Sequence, residues 1–238
     1  MRYIDKSKNP CEEFIAFVKE HNLEKWDDLD NCGMDGSDIK KTLHNHLVDE
    51  QHGLCIYCEQ EIQKKADEKK YYERGHIEHV MPKDDNRFPH LTYVYENLAV
   101  SCAGYDSKQK KGEQFCGHKK GNEYDEELFL NPFQQKDIAK YFIYEEKADG
   151  FWISPNPNLN SEEKGKAEYM IKERILDLNH RVLCDLRKNV YDIFLAETDD
   201  GLDDDKIKDL LNEDETKLYQ FHSMLKYLSA HLFLAGST

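Results

Sequence analysis

The stretch of sequence that decides the fold opens with Cys55-Ile56-Tyr57-Cys58, continues through His76-Ile77-Glu78-His79-Val80-Met81-Pro82 and Glu96-Asn97-Leu98, and closes with Cys102, Cys116 and His118-Lys119-Lys120-Gly121. Four cysteines therefore enclose a histidine, a carboxylate and an asparagine. The cysteines can hold a structural zinc ion. The residues between them can hold a second metal ion and activate water against a phosphodiester. This order of residues predicts a nuclease.

The four cysteines have the residue type and spacing of a zinc site. Zn²⁺ takes four ligands in a tetrahedron and prefers thiolates at structural sites. Cys55 and Cys58 lie on a short turn and can reach one ion. Cys102 and Cys116 can supply the other two ligands, although His118 could replace Cys116. The other three cysteines lack matching spacing and are interpreted as ordinary small residues: Cys11, Cys32 and Cys184.

The pair Glu78-His79 has the residue types that phosphodiester hydrolysis needs. A neutral imidazole near physiological pH can activate water. A carboxylate with another nitrogen or oxygen ligand can hold Mg²⁺ or another divalent ion. Neighbouring residues on a regular strand face opposite ways. Glu78 and His79 therefore share one site only if the backbone bends, whereas His76 and Glu78 share a face of a straight strand.

Three further polar residues of this stretch have two interpretations each. Asn97 can fix a loop through its amide, which both donates and accepts hydrogen bonds, or it can contact the reacting groups. Lys119 and Lys120 can contact phosphate, or they can be charges on the surface of a helix. More lysines cluster in the same stretch: Lys108, Lys110 and Lys111.

The composition indicates a folded protein whose overall charge does not suit nucleic acid. Of 238 residues, 34% are charged and 11% are aromatic, and the net charge is −15. A free-standing nucleic-acid binder is normally basic, so either the binding face is local or a partner delivers the substrate. The sequence starts without an apolar signal region and has no run of membrane-spanning length, which predicts a cytoplasmic location and no membrane partner. In a reducing compartment, seven cysteines favour metal or redox chemistry over disulfides.

The sequence before and within the cysteine stretch predicts helices and one strand. Residues 1–50 form an N-terminal helical segment in this prediction, with Pro10 as a helix opener and a break over residues 31–37. Asp38 is expected to cap the following helix. The next region, 51–127, is the predicted core, with a strand over residues 76–80 and a helix that starts within residues 119–123.

The region 128–238 is predicted as a hairpin followed by helices. The turn Ala148-Asp149-Gly150 between two apolar runs is typical of a hairpin. After Ser161 one apolar stripe predicts a long helix: Ile171, Ile175, Leu178, Val182, Leu186, Val190 and Ile193. An acidic loop near residue 200 separates this stripe from a last helix with Leu218, Phe221, Leu225, Leu228 and Leu232.

The cysteines, Glu78-His79, Glu96-Asn97-Leu98 and Cys116-Gly117-His118-Lys119-Lys120-Gly121 together resemble the HNH endonuclease family. The resemblance covers less than a third of the chain. It implies a ββα-metal fold, with His79 as general base, Glu78 and His118 as residues of the metal site, and Asn97 as the asparagine that orients a loop. Gly117 departs from the family pattern, which often has Asn or His directly after the last cysteine.

A closer resemblance extends over Gln51 to Glu59, Ile77 to Lys83, Leu130-Asn131-Pro132-Phe133 and Leu176-Asp177-Leu178-Asn179. These residues resemble PtuB-type HNH proteins of the Septu and retron anti-phage systems. That resemblance implies a nuclease restrained until infection. It also implies an ABC-type ATPase, PtuA, as a partner, sometimes with a reverse transcriptase and its RNA–DNA product.

We therefore expect an α+β protein, mainly α-helical, with a ββα-metal nuclease core, a four-cysteine zinc site and flanking N- and C-terminal helices. The expected reaction is hydrolysis of DNA or RNA with Mg²⁺ or Mn²⁺, beside a structural Zn²⁺. A non-catalytic zinc-binding adaptor would keep the cysteines without needing Glu78-His79. A thiol-redox protein using Cys55 and Cys58 is disfavoured, because the expected βαβ context is missing.

Overall fold

A computed structural model describes residues 1–63, 75–84, 86–104, 114–199, 211–212 and 217–235. In these ranges the chain is a mixed protein with helices and two small antiparallel sheets, each of two strands. This agrees with the expected α+β class. None of the helices in these ranges combines the length and apolar character needed to cross a bilayer.

Three helices form the N-terminal part: α1 (Glu12–His21), α2 (Asp28–Asn31) and α3 (Gly33–Glu50). Helix α3 packs on α1 and α2 through buried side chains that include Leu43 and Leu47. The chain does break inside the predicted stretch 31–37, but only at Cys32, which separates α2 from α3. The predicted cap at Asp38 is wrong, because Asp38 lies inside α3. Gly36 fits inside the helix since a Cβ there would lie 1.9 Å from the carbonyl oxygen of Leu29. This glycine permits close packing instead of ending the helix.

The cysteine stretch forms two strands and a short helix. Strand β1 (His76–His79) pairs antiparallel with β2 (Leu98–Ser101), so that Glu78 lies opposite Ala99. Helix α4 (Cys116–Lys120) follows. The prediction that a helix starts within residues 119–123 is wrong: α4 ends there. Cys116, with φ of 56°, is held by a hydrogen bond from its N–H to the carbonyl of Leu176 (2.7 Å).

Gln51 joins the end of α3 to this core. Its amide nitrogen donates to the carbonyls of Leu54 and Val100, both at 2.8 Å, and its amide oxygen accepts from the Val100 N–H at 2.7 Å. Gln51 is buried, so these bonds satisfy polar groups that have no access to water. They place the Cys55–Cys58 turn directly against the edge of β2.

The C-terminal part contains the predicted hairpin, β3 (Phe142–Lys147) and β4 (Gly150–Pro155), and the helices α5 (Ser161–Ile171), α6 (Arg181–Asp199) and α7 (His222–Ala235). Helices α5 and α6 pack on β4, and α7 packs on β3. The hairpin prediction is confirmed. Predicted features at Lys108, Lys110, Lys111 and most of the acidic loop near residue 200 lie outside the described residues.

The single long helix predicted after Ser161 is wrong, because residues 172–180 separate α5 from α6. Asp177 adopts φ of 48°. The amide of Asn179 bonds both the N–H and the carbonyl of Ile153, each at 2.9 Å. Ile175 and Leu178 are buried all the same. Tertiary bonds to β4 therefore replace the helix while the apolar residues keep their place in the core.

Candidate metal centre and active site

Cys55, Cys58, Cys102 and Cys116 converge at one buried point, and their four sulfur atoms all lie within 4.8 Å of one another. The Sγ atoms of Cys58 and Cys102 are 3.7 Å apart. Zn–S bonds of about 2.3 Å in a tetrahedron place sulfurs about 3.8 Å apart. The donor set and its spacing therefore fit Zn²⁺. Within the described parts of the chain, no other three or more His, Cys, Asp or Glu ligand atoms lie this close together.

The backbone around the cluster already stabilises negative charge on sulfur. The N–H of Cys102 donates to Sγ of Cys55 (3.2 Å), and the N–H of Gln60 donates to Sγ of Cys58 (3.4 Å). Burial alone would raise the pKa of the Cys55 thiol, but hydrogen bonds from the other cysteines lower that pKa well below its usual value. Burial raises the pKa of Cys116. Bound Zn²⁺ deprotonates its thiol ligands and would override this difference.

Glu78 is a buried carboxylate whose two oxygens have different partners. Oε1 accepts from the Tyr57 hydroxyl (2.9 Å) and pairs with Nζ of Lys120 (2.9 Å), whereas Oε2 lies 3.4 Å from Nε2 of His76. Burial alone would raise the pKa of Glu78, but the Lys120 ammonium and the His76 hydrogen bond outweigh it and lower the pKa to about 2. Glu78 is therefore ionised at neutral pH.

The structure places Lys120 inside the protein, with 1% of its surface exposed. Besides Glu78, its ammonium group contacts the carbonyls of His79 (3.2 Å) and Gly121 (3.3 Å). Lys120 is therefore not a charge on the surface of a helix, which was one of the two interpretations of this residue from the sequence. Lys119, the preceding residue, is half-buried.

His118 is the predicted second residue of a divalent-ion site, and its ring lies next to the Glu78 side of β1. Its ring centroid is 4.0 Å from that of His76, and the two rings are perpendicular. Burial, followed by the effect of His76, lowers the pKa of His118 to about 4, so its imidazole is neutral and can ligate a cation. His118 is outside the four-sulfur cluster, which contains Cys116.

His79, the candidate general base, lies on the other face of β1. Its Nε2 is 3.0 Å from the carbonyl oxygen of Thr92, which requires the proton on Nε2 and leaves the Nδ1 lone pair as the acceptor. Burial lowers the pKa of His79 to about 4. The imidazole is therefore neutral at physiological pH, which is the state that a base requires. The strand does not bend to bring His79 onto the same face as Glu78.

Trp26 covers the His79 ring. The two ring centroids are 4.6 Å apart and the rings are perpendicular. Trp26 also packs against Phe14 and Tyr93. Both Trp26 and Thr92 line an open groove of about 300 Å³. His79, only 7% exposed, therefore lies directly behind the wall of a groove.

Asn97 ties together the two loops beside His79. Its amide oxygen accepts from the N–H of Met81 (2.8 Å), and its amide nitrogen donates to the carbonyls of Met81 (2.9 Å) and Leu91 (3.3 Å). Asn97 is buried. These bonds hold the loop after β1 next to the loop that carries Thr92.

Two neighbours of Glu78 were missing from the residues proposed from the sequence. His76 follows from the two-residue period of a strand, which places it on the same face as Glu78. Tyr57 stands between two cysteines, and no pattern in the sequence indicates that its hydroxyl bonds a carboxylate 21 positions later.

Fold and site together define an α+β protein in which a four-cysteine cluster adjoins two strands and a short helix that carry histidines and a buried carboxylate. The chain is similar to a Vibrio cholerae serotype O1 biovar El Tor protein named "Retron Vc95 putative HNH endonuclease", with 33% identity over 128 residues. The match covers 53% of this chain and 53% of the relative, so the chain spans about half the length of that curated relative. No family model matches the chain.

Proposed function

We propose that the chain is a metal-dependent endonuclease of the HNH type that hydrolyses nucleic-acid phosphodiester bonds. His79 is the general base, and Glu78 and His118 belong to the site of a divalent ion. One observation carries the proposal: strand β1 places the buried carboxylate of Glu78 and the neutral imidazole of His79 on opposite faces of one strand, next to a four-cysteine cluster. The named relative supports the same activity.

Glu78 and His79 leave β1 on opposite faces. One phosphate can therefore reach both residues only at the end of the strand, where β1 stops at His79. Because Lys120 contacts both the Glu78 carboxylate and the His79 carbonyl, it fixes the two halves of the site relative to each other.

The residues around Glu78 fit a divalent ion by their chemistry. Glu78 is ionised, and the His118 imidazole, with a pKa of about 4, is neutral. A divalent ion bound there would stabilise negative charge on the phosphate and on the leaving oxygen. Nδ1 of His79 would accept the proton of the attacking water. Thr92 holds the ring in the tautomer that this step needs.

The test is cleavage of plasmid DNA and of tRNA by zinc-loaded protein with Mg²⁺ or Mn²⁺. We expect His79→Ala to lower the cleavage rate by at least about 100-fold, which is the lower end of general base catalysis. Zinc content should stay unchanged and the variant should remain folded, although it loses the buried bond to Thr92. The matched control is His90→Ala, because His90 is exposed. Full cleavage by His79→Ala would favour the non-catalytic zinc-binding adaptor.

The same proposal includes the context in which the nuclease works. The relative's name places that protein in a retron, and the net charge of −15 favours delivery of the nucleic acid by a partner. We include a PtuA-like ABC-type ATPase as that partner, with a retron reverse transcriptase and its RNA–DNA product. Cleavage assays with and without the purified ATPase test this part, and equal rates in both would contradict it.

A further inference from the structure

Glu78 has one oxygen that is already saturated and one that is open. Oε1 receives both the Tyr57 hydroxyl and the Lys120 ammonium, each at 2.9 Å. A cation that approaches Glu78 therefore finds Oε2, the oxygen that faces His76.

Gly117 keeps the space beside Oε2 open. A Cβ on this residue would lie 2.5 Å from Oε2 of Glu78 and 2.8 Å from Nε2 of His76. Both distances are shorter than any ordinary contact of a side-chain carbon. The glycine that departs from the HNH pattern thus adjoins the two atoms best placed to share an ion.

His76 has the spacing and the ring chemistry of a ligand. Its Nε2 is 3.4 Å from Oε2, which is long for an N–H···O hydrogen bond. Two ligands at right angles on an ion with bonds of about 2.1 Å lie about 3 Å apart. Nδ1 of His76 is buried and has no hydrogen-bond partner among the described residues. No bond at Nδ1 therefore fixes the ring proton, and the Nε2 lone pair can face the ion.

We infer that His76 is a ligand of the divalent ion, bound together with Oε2 of Glu78 in the space that Gly117 leaves open, with His118 alongside. This inference rests on the proposed function. It gives the ion one imidazole nitrogen from His76 and one carboxylate oxygen from Glu78, and the His118 ring lies 4.0 Å from that of His76 between centroids. Imidazole favours transition-metal ions, whereas Mg²⁺ prefers oxygen ligands. The site therefore selects Mn²⁺ over Mg²⁺.

The test measures binding of Mn²⁺ to zinc-loaded protein by electron paramagnetic resonance of the free ion, with Mg²⁺ as competitor. We expect Mn²⁺ to bind at least about 10-fold more tightly than Mg²⁺. His76→Ala should weaken Mn²⁺ binding by about 10-fold or more, the range seen when metal sites lose a supporting group, and leave Mg²⁺ binding nearly unchanged. His90→Ala, an exposed histidine, should bind both ions as the wild type does.

Two further variants separate ligation from folding. Gly117→Ala should weaken Mn²⁺ binding although the His76 side chain is retained, because its Cβ fills the space beside Oε2. His76→Gln keeps a polar side chain and replaces His76→Ala if the alanine variant loses zinc or melts early. Equal weakening of Mn²⁺ and Mg²⁺ binding would mean that His76 only supports the fold, and would overturn the inference.

The outcomes also separate this inference from the proposed function. Wild-type Mn²⁺ affinity in both His76 variants, together with loss of cleavage in His79→Ala, would reject His76 as a ligand and leave the nuclease proposal standing. A wild-type protein that binds no Mn²⁺ would overturn the inference whatever the cleavage assay shows. Loss of Mn²⁺ affinity in His76→Ala without cleavage by any form would support the ion site and count against the nuclease.

Discussion

The four-cysteine cluster and the region around β1 use similar donor atoms in opposite ways. The cluster is closed: its four sulfurs lie within 4.8 Å of one another and all four cysteines are buried. The β1 region is divided, with Glu78 on one face of the strand and His79 on the other. A closed set of four protein ligands is typical of structural metal sites, and a set with open positions is typical of catalytic ones. The first region has the arrangement of a structural metal site, whereas the second has the divided arrangement that the proposed nuclease would use.

The largest effect should follow from opening the closed cluster. We expect Cys58→Ser to lose zinc and to lower the free energy of unfolding by about 3–5 kcal/mol, because metal binding at such a site contributes directly to folding. Zinc analysis and denaturant unfolding measure the two quantities. Cys184→Ser is the matched control, since Cys184 is buried outside the cluster. An unchanged melting temperature with normal zinc in Cys58→Ser would contradict a structural role.

The next effect concerns the buried ion pair between Lys120 and Glu78. Lys120→Met leaves the buried Glu78 carboxylate without its ammonium partner, and breaking a buried ion pair in this way costs about 3 kcal/mol or more. Zinc content should not change. Lys119→Met is the control, because Lys119 is the half-buried neighbour on the same helix. Equal stability of the two variants would show that the Lys120 pair does not hold the site together.

The third effect is acid sensitivity of the β1 region. The pKa of Glu78 is lowered to about 2. Its contribution to the free energy of unfolding is therefore complete above the pKa of the unfolded chain, about 4.3. That contribution is lost as the pH falls through 2. We expect about 3 kcal/mol of unfolding free energy to disappear between pH 5 and pH 2 through this group. Urea unfolding of wild type and Glu78→Gln at several pH values measures it, and a parallel acid response in both would exclude Glu78 as the source.

The smallest effect concerns access to His79. Trp26→Ala should uncover the ring and raise its rate of modification by diethyl pyrocarbonate by several-fold, with only a modest loss of stability, because Trp26 is half-buried. Peptide mass spectrometry identifies the modified histidine. Trp152→Ala, which removes the tryptophan of the β3–β4 hairpin, provides the comparison. An unchanged rate in Trp26→Ala would mean that other residues shield His79.

The four-cysteine cluster was easier to predict from the sequence than the region around β1. Thiolate chemistry and the Cys55–Cys58 turn specify a cluster almost independently of the rest of the chain, and all four predicted cysteines converge. The β3–β4 hairpin was also predictable from its turn. The break between α5 and α6 was not, because it depends on Asn179 bonding the distant backbone of Ile153.

The burial of Lys120 beside Glu78 could not be predicted from the sequence either, because it also depends on a tertiary contact. A lysine next to Lys119 near the end of a short helix resembles a surface charge, and its burial follows only from where α4 meets β1. His76 was accessible, since a straight strand places alternate residues on one face. Domain boundaries at residues 50 and 127 and the roles of individual site residues stay predictions.

The pairing of Lys120 with Glu78 also bears on how the proposed site would attract nucleic acid. The two charges cancel within the protein, and His79 and His118, each with a pKa of about 4, are uncharged at neutral pH. If the proposed divalent ion binds beside Glu78, it would add positive charge to a part of the site whose own charged groups are paired or neutral.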